Sequence, residues 1–85
     1  MYEILIKEYI KRLSLKDIND FAIKKGIKLL DNEDKKIYNL IIKYWKDIYN
    51  GNTNEAFTKL KNEVSEDTYN NIINLYNEYK KRLDN

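Results

Sequence analysis

Residues 13–26 read LSLKDINDFAIKKG, and several independent signals in them mark one helix. Ser14 can accept hydrogen bonds from the N–H groups of a helix that begins at Leu15. Asp17, three residues on, stands where a capping box needs an acceptor, and its charge suits the positive end of the helix. Leu13 can staple onto Ile18 across the same start. Leu15, Ile18, Phe21 and Ala22 then recur at helical spacing as an inward face. Gly26, after Lys24 and Lys25, suits the left-handed position just beyond a helix C-terminus, so the helix is expected to stop there.

The same reading extends in both directions. Upstream, a helix from Tyr2 to Leu13 is expected to turn Tyr2, Leu5, Ile6, Tyr9, Ile10 and Leu13 inward, with Ile4 off that face. Downstream, Ile27, Leu29 and Leu30 form a short apolar link expected to tuck beneath the bundle. The longest helix follows, from Glu33 to Tyr49, opened by the acidic run Asp31, Asn32, Glu33, Asp34 as cap and dipole partner and stopped by Asn50-Gly51. It carries two stripes. Ile37, Leu40, Ile41, Tyr44 and Ile48 form one, and Tyr38, Ile42, Trp45 and Tyr49 form a second beside it. Lys36, Asn39, Lys43, Lys46 and Asp47 lie opposite, so this helix is expected at the centre.

A fourth, short helix is expected after Asn52, with Glu55 completing an N-x-x-E capping box and with Ala56, Phe57, Leu60 and Val64 buried. Ser65 is the expected cap of the last helix, Glu66 and Asp67 occupy its first turn, and Val64 can staple onto Tyr69. Its inward face reads Tyr69, Ile72, Ile73, Tyr76, Tyr79 and Leu83, flanked by Leu75, and Lys80, Lys81 and Arg82 close it at the negative end. No segment alternates with period two. The expectation is an all-α, compact single-domain bundle of about five short helices spanning residues 1–85.

Composition bounds function. The 85 residues include no His, no Cys and no Pro, so the side chains most used for acid–base, nucleophilic and metal chemistry near neutral pH are missing. Ser14 and Ser65 lack a His to activate them, and each has a capping role. The acidic run at 31–34 supplies only fragments of a calcium loop, and no glycine-rich phosphate loop is present. No catalytic, metal or cofactor residue is therefore expected, and the chain should act by binding. Sixteen Lys and Arg against fourteen Asp and Glu, interspersed, give +2, which promises little long-range attraction to polyanions. Lys, Asn, Ile and Tyr make up more than half the chain, the mark of an AT-rich genome rather than of a nucleic-acid surface. Glu3 stands where a signal peptide would be basic, and the apolar run Ile4 to Ile6 ends at Lys7. A cytoplasmic protein with no membrane association is expected.

Two surfaces are candidates for a partner. The stripe Tyr38, Ile42, Trp45 and Tyr49 exceeds what one narrow core seam needs, and aromatics within a charged rim commonly anchor protein interfaces. It is a candidate face for another protein or for self-association, or else a second seam of the core. Lys24, Lys25, Lys28 and Lys35, with Lys36, bracket the turn after the second helix and could meet phosphates, or else form a solvated surface.

The string Leu13, Ser14, Leu15, Lys16, Asp17, Ile18, then Phe21, Ala22, Gly26, Ile27 and Leu29, resembles the L-T-x-x-E-L-x-x-Y-A-x-x-Y-G-I-x-L opening of domain of unknown function 2624. That is a family of short proteins of Gram-positive bacteria. The resemblance continues through the long helix and through Ser65, Asp67 and Thr68 to Ile73, Leu75 and Tyr76, without the family's proline before the last helix. It implies a small cytoplasmic helical protein and transfers no functional residue. Leu15, Ile18, Ala22, Gly26, Ile27 and Leu40 also resemble the helix, glycine turn, helix pattern of SAP-like DNA-binding modules. That likeness implies nucleic-acid binding through Lys24, Lys25, Lys28 and Lys35 as the alternative to a protein partner.

Overall fold

The structure, a computed structural model, describes residues 2–84, with side chains described within residues 2–82. It holds five α-helices in order: α1 Tyr2–Arg12, α2 Leu15–Lys24, α3 Glu33–Tyr49, α4 Asn54–Glu63 and α5 Glu66–Asp84. No strand occurs among the described residues. The all-α expectation holds. Leu83, expected on the inward face of α5, lies outside the described side chains.

Local chemistry sets most of the boundaries. The Ser14 N–H donates to Asp17 Oδ2 at 3.0 Å and the Asp17 N–H donates to Ser14 Oγ at 3.2 Å, a complete capping box. At the other end of α2, the Gly26 N–H donates to the Ile23 carbonyl and the Ile27 N–H to the Ala22 carbonyl, with Gly26 at φ +71°. That is a Schellman ending, in which two otherwise orphaned carbonyls gain donors. Gly51 repeats it after α3 at φ +86°, donating to Ile48 while Asn52 donates to Asp47.

This second Schellman turn corrects the expected start of α4. The Asn52 backbone is engaged in closing α3, so α4 begins at Asn54 with Thr53 in the cap position. Thr53 has φ −100° and ψ −6°, not the extended backbone that aims a cap side chain at the helix, and it makes no side-chain cap bond. Glu55 is not part of a capping box. It accepts instead from the Tyr44 hydroxyl at 3.2 Å. Asn32, expected to help cap α3, sits in the left-handed region at φ +68° and also makes no cap bond; its short polar side chain lets it hold that turn.

α3 is central: its backbone closely approaches those of α4, α2 and α1, and α4 in turn approaches α5. The core lies on the α3–α4 side. Leu40, Tyr44, Ala56 and Leu60 are buried there, with Ile37, Ile48, Phe57, Val64, Tyr69 and Ile72 packed around them. Phe57 meets Tyr76 of α5 edge to face, with ring centroids 5.1 Å apart. The first expected stripe of α3 is thus the core seam.

The inward face expected for the first helix is met only in part: Leu13, just past the end of α1, is buried, and the rest of that face is largely uncovered. No residue of α1 is buried. Leu5 and Tyr9 are 62% and 63% exposed, Tyr2 and Ile4 still more so, and only Ile6 and Ile10 are half-buried. Periodicity placed these residues on one side of a helix, but α1 has only α3 as a close neighbour, which leaves most of that side without a surface to cover it. Phe21 and Tyr79, also expected inward, are exposed, as is Leu30 of the link, while Ile27 and Leu29 are half-buried.

Candidate functional site

The acidic run at the start of α3 disperses in the fold. Glu33 turns inward and is 3% exposed. Its Oε2 accepts from the Ser65 N–H at 2.6 Å, and its Oε1 accepts from the Thr68 hydroxyl at 2.6 Å and from the Leu30 N–H at 2.9 Å. Ser65 Oγ in turn accepts from the Thr68 N–H at 3.3 Å and donates to Thr68 Oγ1 at 3.0 Å. A capping box normally draws its acidic partner from the third residue of the same helix. Here that residue is Thr68, too short to reach back to the cap N–H, and Glu33 supplies the acceptor from another helix. Burial pushes the Glu33 carboxyl up, but the bonds from Ser65, Thr68 and Leu30 outweigh it and leave the group below its ordinary range.

Asp34 points elsewhere. Its carboxylate accepts from the Asn19 amide at 2.9 Å and from the Lys35 N–H at 2.8 Å, and these bonds, the Asn19 one first, lower its pKa. Tyr44 shifts upward, through burial first and then through its bond to the Glu55 carboxylate. Each of these groups is engaged in holding helices together, and none of the three faces a cavity as an unpartnered acid or base. Among the described residues, no group of three or more Asp and Glu side chains converges in a way that could hold a metal ion.

The second α3 stripe is divided. Tyr38 and Trp45 are half-buried, with the Lys46 ammonium 5.8 Å from the Trp45 ring, whereas Ile42 and Tyr49 are exposed. Lys24, Lys25, Lys28, Lys35 and Lys36 are all exposed. Lys25 has a specific environment: its ammonium lies 5.7 Å from the centre of the Phe21 ring and 5.8 Å from that of Tyr79, which brings α2 and α5 side chains together at the surface.

An apolar concavity lies next to this trio. A cleft of about 270 Å³ opens between α1 and α5 over a floor of α2, the 27–30 link and α3. Tyr9 and Ile10 line it from α1, Ile18 and Phe21 from α2, and Ile72 and Leu75 from α5. Asp17 is the one polar lining residue. Tyr9 and Phe21, which line it, are exposed at the surface as well. The individual lining residues were legible as an apolar face of each helix. Their failure to close on one another was not.

Large apolar side chains are also exposed away from the cleft, among them Ile23, Leu30, Ile42 and Tyr49. The chain exposes 6649 Å², where a monomer of 10.3 kDa typically exposes about 5,400 Å². Comparison with protein-family models, with curated proteins and with solved structures found no match for this chain. No helix among the described residues is long and apolar enough to cross a membrane.

Proposed function

We propose that this chain is a cytoplasmic protein-interaction module that acts by binding rather than catalysis, and that it receives an apolar helical segment in the cleft between α1 and α5. The observation that carries this reading is the cleft itself, about 270 Å³ with Asp17 alone breaking its apolar lining. Two helical walls and a helical floor form the kind of groove into which an amphipathic helix lays its apolar face. The exposed Tyr9 and Phe21 that line it are of the residue types that anchor interfaces, Asp17 supplies a charge, and the Lys25 ammonium lies 5.7 Å from the Phe21 ring centre.

The test uses the apolar dye 1-anilinonaphthalene-8-sulfonate on dilute, folded protein. Enhanced, blue-shifted emission is expected, and Leu75→Gln should abolish most of it while far-ultraviolet circular dichroism stays unchanged. Absence of enhancement, or enhancement indifferent to Leu75→Gln, would sink the cleft as a docking site. If Leu75→Gln disturbs the fold, amide shift changes on titrating the dye into isotope-labelled wild type must map to Ile10, Phe21 and Leu75 instead. Salt-resistant binding of duplex DNA, lost on replacing Lys24, Lys25, Lys28 and Lys35, would favour a nucleic-acid partner over a protein one.

A further inference from the structure

We propose that α5 is a movable wall of the cleft, hinged at Val64 and Ser65, and that the buried Glu33 carboxylate is the lock on that hinge.

Only Val64 and Ser65 separate α4, which ends at Glu63, from α5, which starts at Glu66. Val64 leaves the helical region, at φ −121° and ψ 167°, so the chain turns its corner through extended backbone. Hinges are built from a few such element-terminal residues, which absorb the change of φ and ψ. What fixes this corner comes from elsewhere. Glu33, the first residue of the central α3, accepts from the Ser65 N–H and from the Thr68 hydroxyl, each at 2.6 Å. A third bond, from the Leu30 N–H at 2.9 Å, sets the carboxylate in place from the α3 side alone.

Beyond this corner α5 is held loosely. Among the described residues, its backbone closely approaches that of α4 and of no other helix. From Tyr69 onward, its described side chains make no hydrogen bond and no ion pair to another element. Its remaining attachments are apolar and ring contacts. They include Tyr69 and Ile72 against the core, Phe57 edge to face with Tyr76, and the Lys25 ammonium 5.8 Å from the Tyr79 ring centre. Apolar burial is non-directional, so such contacts resist separation far more than tilting. The direction of α5 is therefore fixed at Glu33.

That direction sets the width of the cleft. Ile72 and Leu75 line one side, and the facing wall, Tyr9 and Ile10 of α1, belongs to a helix whose backbone does not closely approach that of α5. Leu75 lies ten residues past Ser65, about 15 Å along the helix. A tilt of about 15° at the hinge then moves Leu75 by about 4 Å, enough to change which side chains fit. Releasing the lock widens the range of cleft widths that the chain samples, and an occupant that needs a wider cleft works against Glu33.

The chain has no Cys, so paired cysteines can be introduced and spin-labelled with no native thiol to remove. Lys7→Cys with Asn74→Cys, at exposed positions of α1 and α5, spans the cleft, and Asp47→Cys with Lys59→Cys, also exposed, spans the α3–α4 side. Electron–electron distance measurements on the full chain compare the two pairs. Glu33→Gln, whose amide nitrogen cannot accept, should shift or broaden the α1–α5 distribution by about 4 Å and leave the α3–α4 one unchanged. Thr68→Val, which removes the hydroxyl bond and keeps the volume, should act in the same direction to a smaller extent. An α1–α5 distribution that neither substitution changes overturns the hinge, and so does a change of equal size in both pairs. Should both variants fail to fold, methyl relaxation dispersion of the wild type decides. Leu75 methyls should show microsecond-to-millisecond exchange that Leu60 methyls lack, and equal behaviour of the two overturns the proposal. Dye binding reports the groove and these distances report its wall, so either can fail without the other.

Discussion

The two ends of this bundle are built from similar residues and reach different outcomes. On the α3–α4 side, Leu40, Tyr44, Ala56 and Leu60 interlock, and Glu33 fastens the start of α3 to the start of α5. On the α1 side, a helix equally rich in apolar residues buries none of them and stands beside an open cleft. Helical periodicity sorts side chains onto a face in both places. Burial follows only where another face arrives to meet it, and α3 has such neighbours on one side and too few on the other.

The largest effect should fall in the closed half. Leu60→Ala should cost ~2–5 kcal/mol, as deletion of a fully packed leucine does, whereas Leu5→Ala in dilute monomer should change stability by about 0.5 kcal/mol or less. Urea denaturation followed by circular dichroism measures both. Equal losses would erase the contrast between the two ends.

Glu33→Gln should come next, at ~1–3 kcal/mol, because the amide nitrogen cannot accept and one of the buried donors from Ser65, Thr68 or Leu30 loses its partner. The same residue predicts a pH dependence. Its folded pKa lies below the unfolded value of about 4.3, so its stabilisation is fully present above that value and is lost as pH falls through the folded pKa. Wild type should lose stability across that acid window, and Glu33→Gln should lose less there. Parallel pH profiles for the two proteins would remove Glu33 from its fastening role.

Two smaller changes sharpen the comparison by crossing it. Gly26→Ala, beside the open half, and Gly51→Ala, beside the closed half, should each cost about 1–2 kcal/mol. Both positions hold positive φ and have no atom within 4 Å of an added Cβ, so the penalty is backbone strain and not packing. Costs that differ widely would show that the two Schellman turns are coupled to their halves. Ser14→Ala should be the mildest, ~1 kcal/mol from loss of the cap, read as a shift of the denaturation midpoint at constant slope.

How far residues could be read in advance depended on the range of the interaction. The start of α2 at Ser14 and Asp17, its end at Gly26 and the bounds of α3 were legible because each rests on contacts within a turn or so of the chain. Asn52 and Glu55 matched a capping box by type and spacing and still formed none, since the Schellman turn already held the Asn52 backbone and the following cap backbone was not extended. Phe21 and Tyr79 lay on the faces expected to turn inward, yet they meet at the surface around Lys25.

What the sequence by itself determined is the set of five helices, their chemistry at most ends and the apolar face of each, because hydrogen bonds within a helix and the 3.6-residue period are local. The tertiary structure alone decided which faces are met. It carried Glu33 across more than thirty residues to complete the cap of α5. It also left Tyr9, Phe21 and Leu75 around an open cleft in place of a sealed core, because covering a face depends on the approach of distant segments, and nothing in the period of one helix specifies where its neighbour ends.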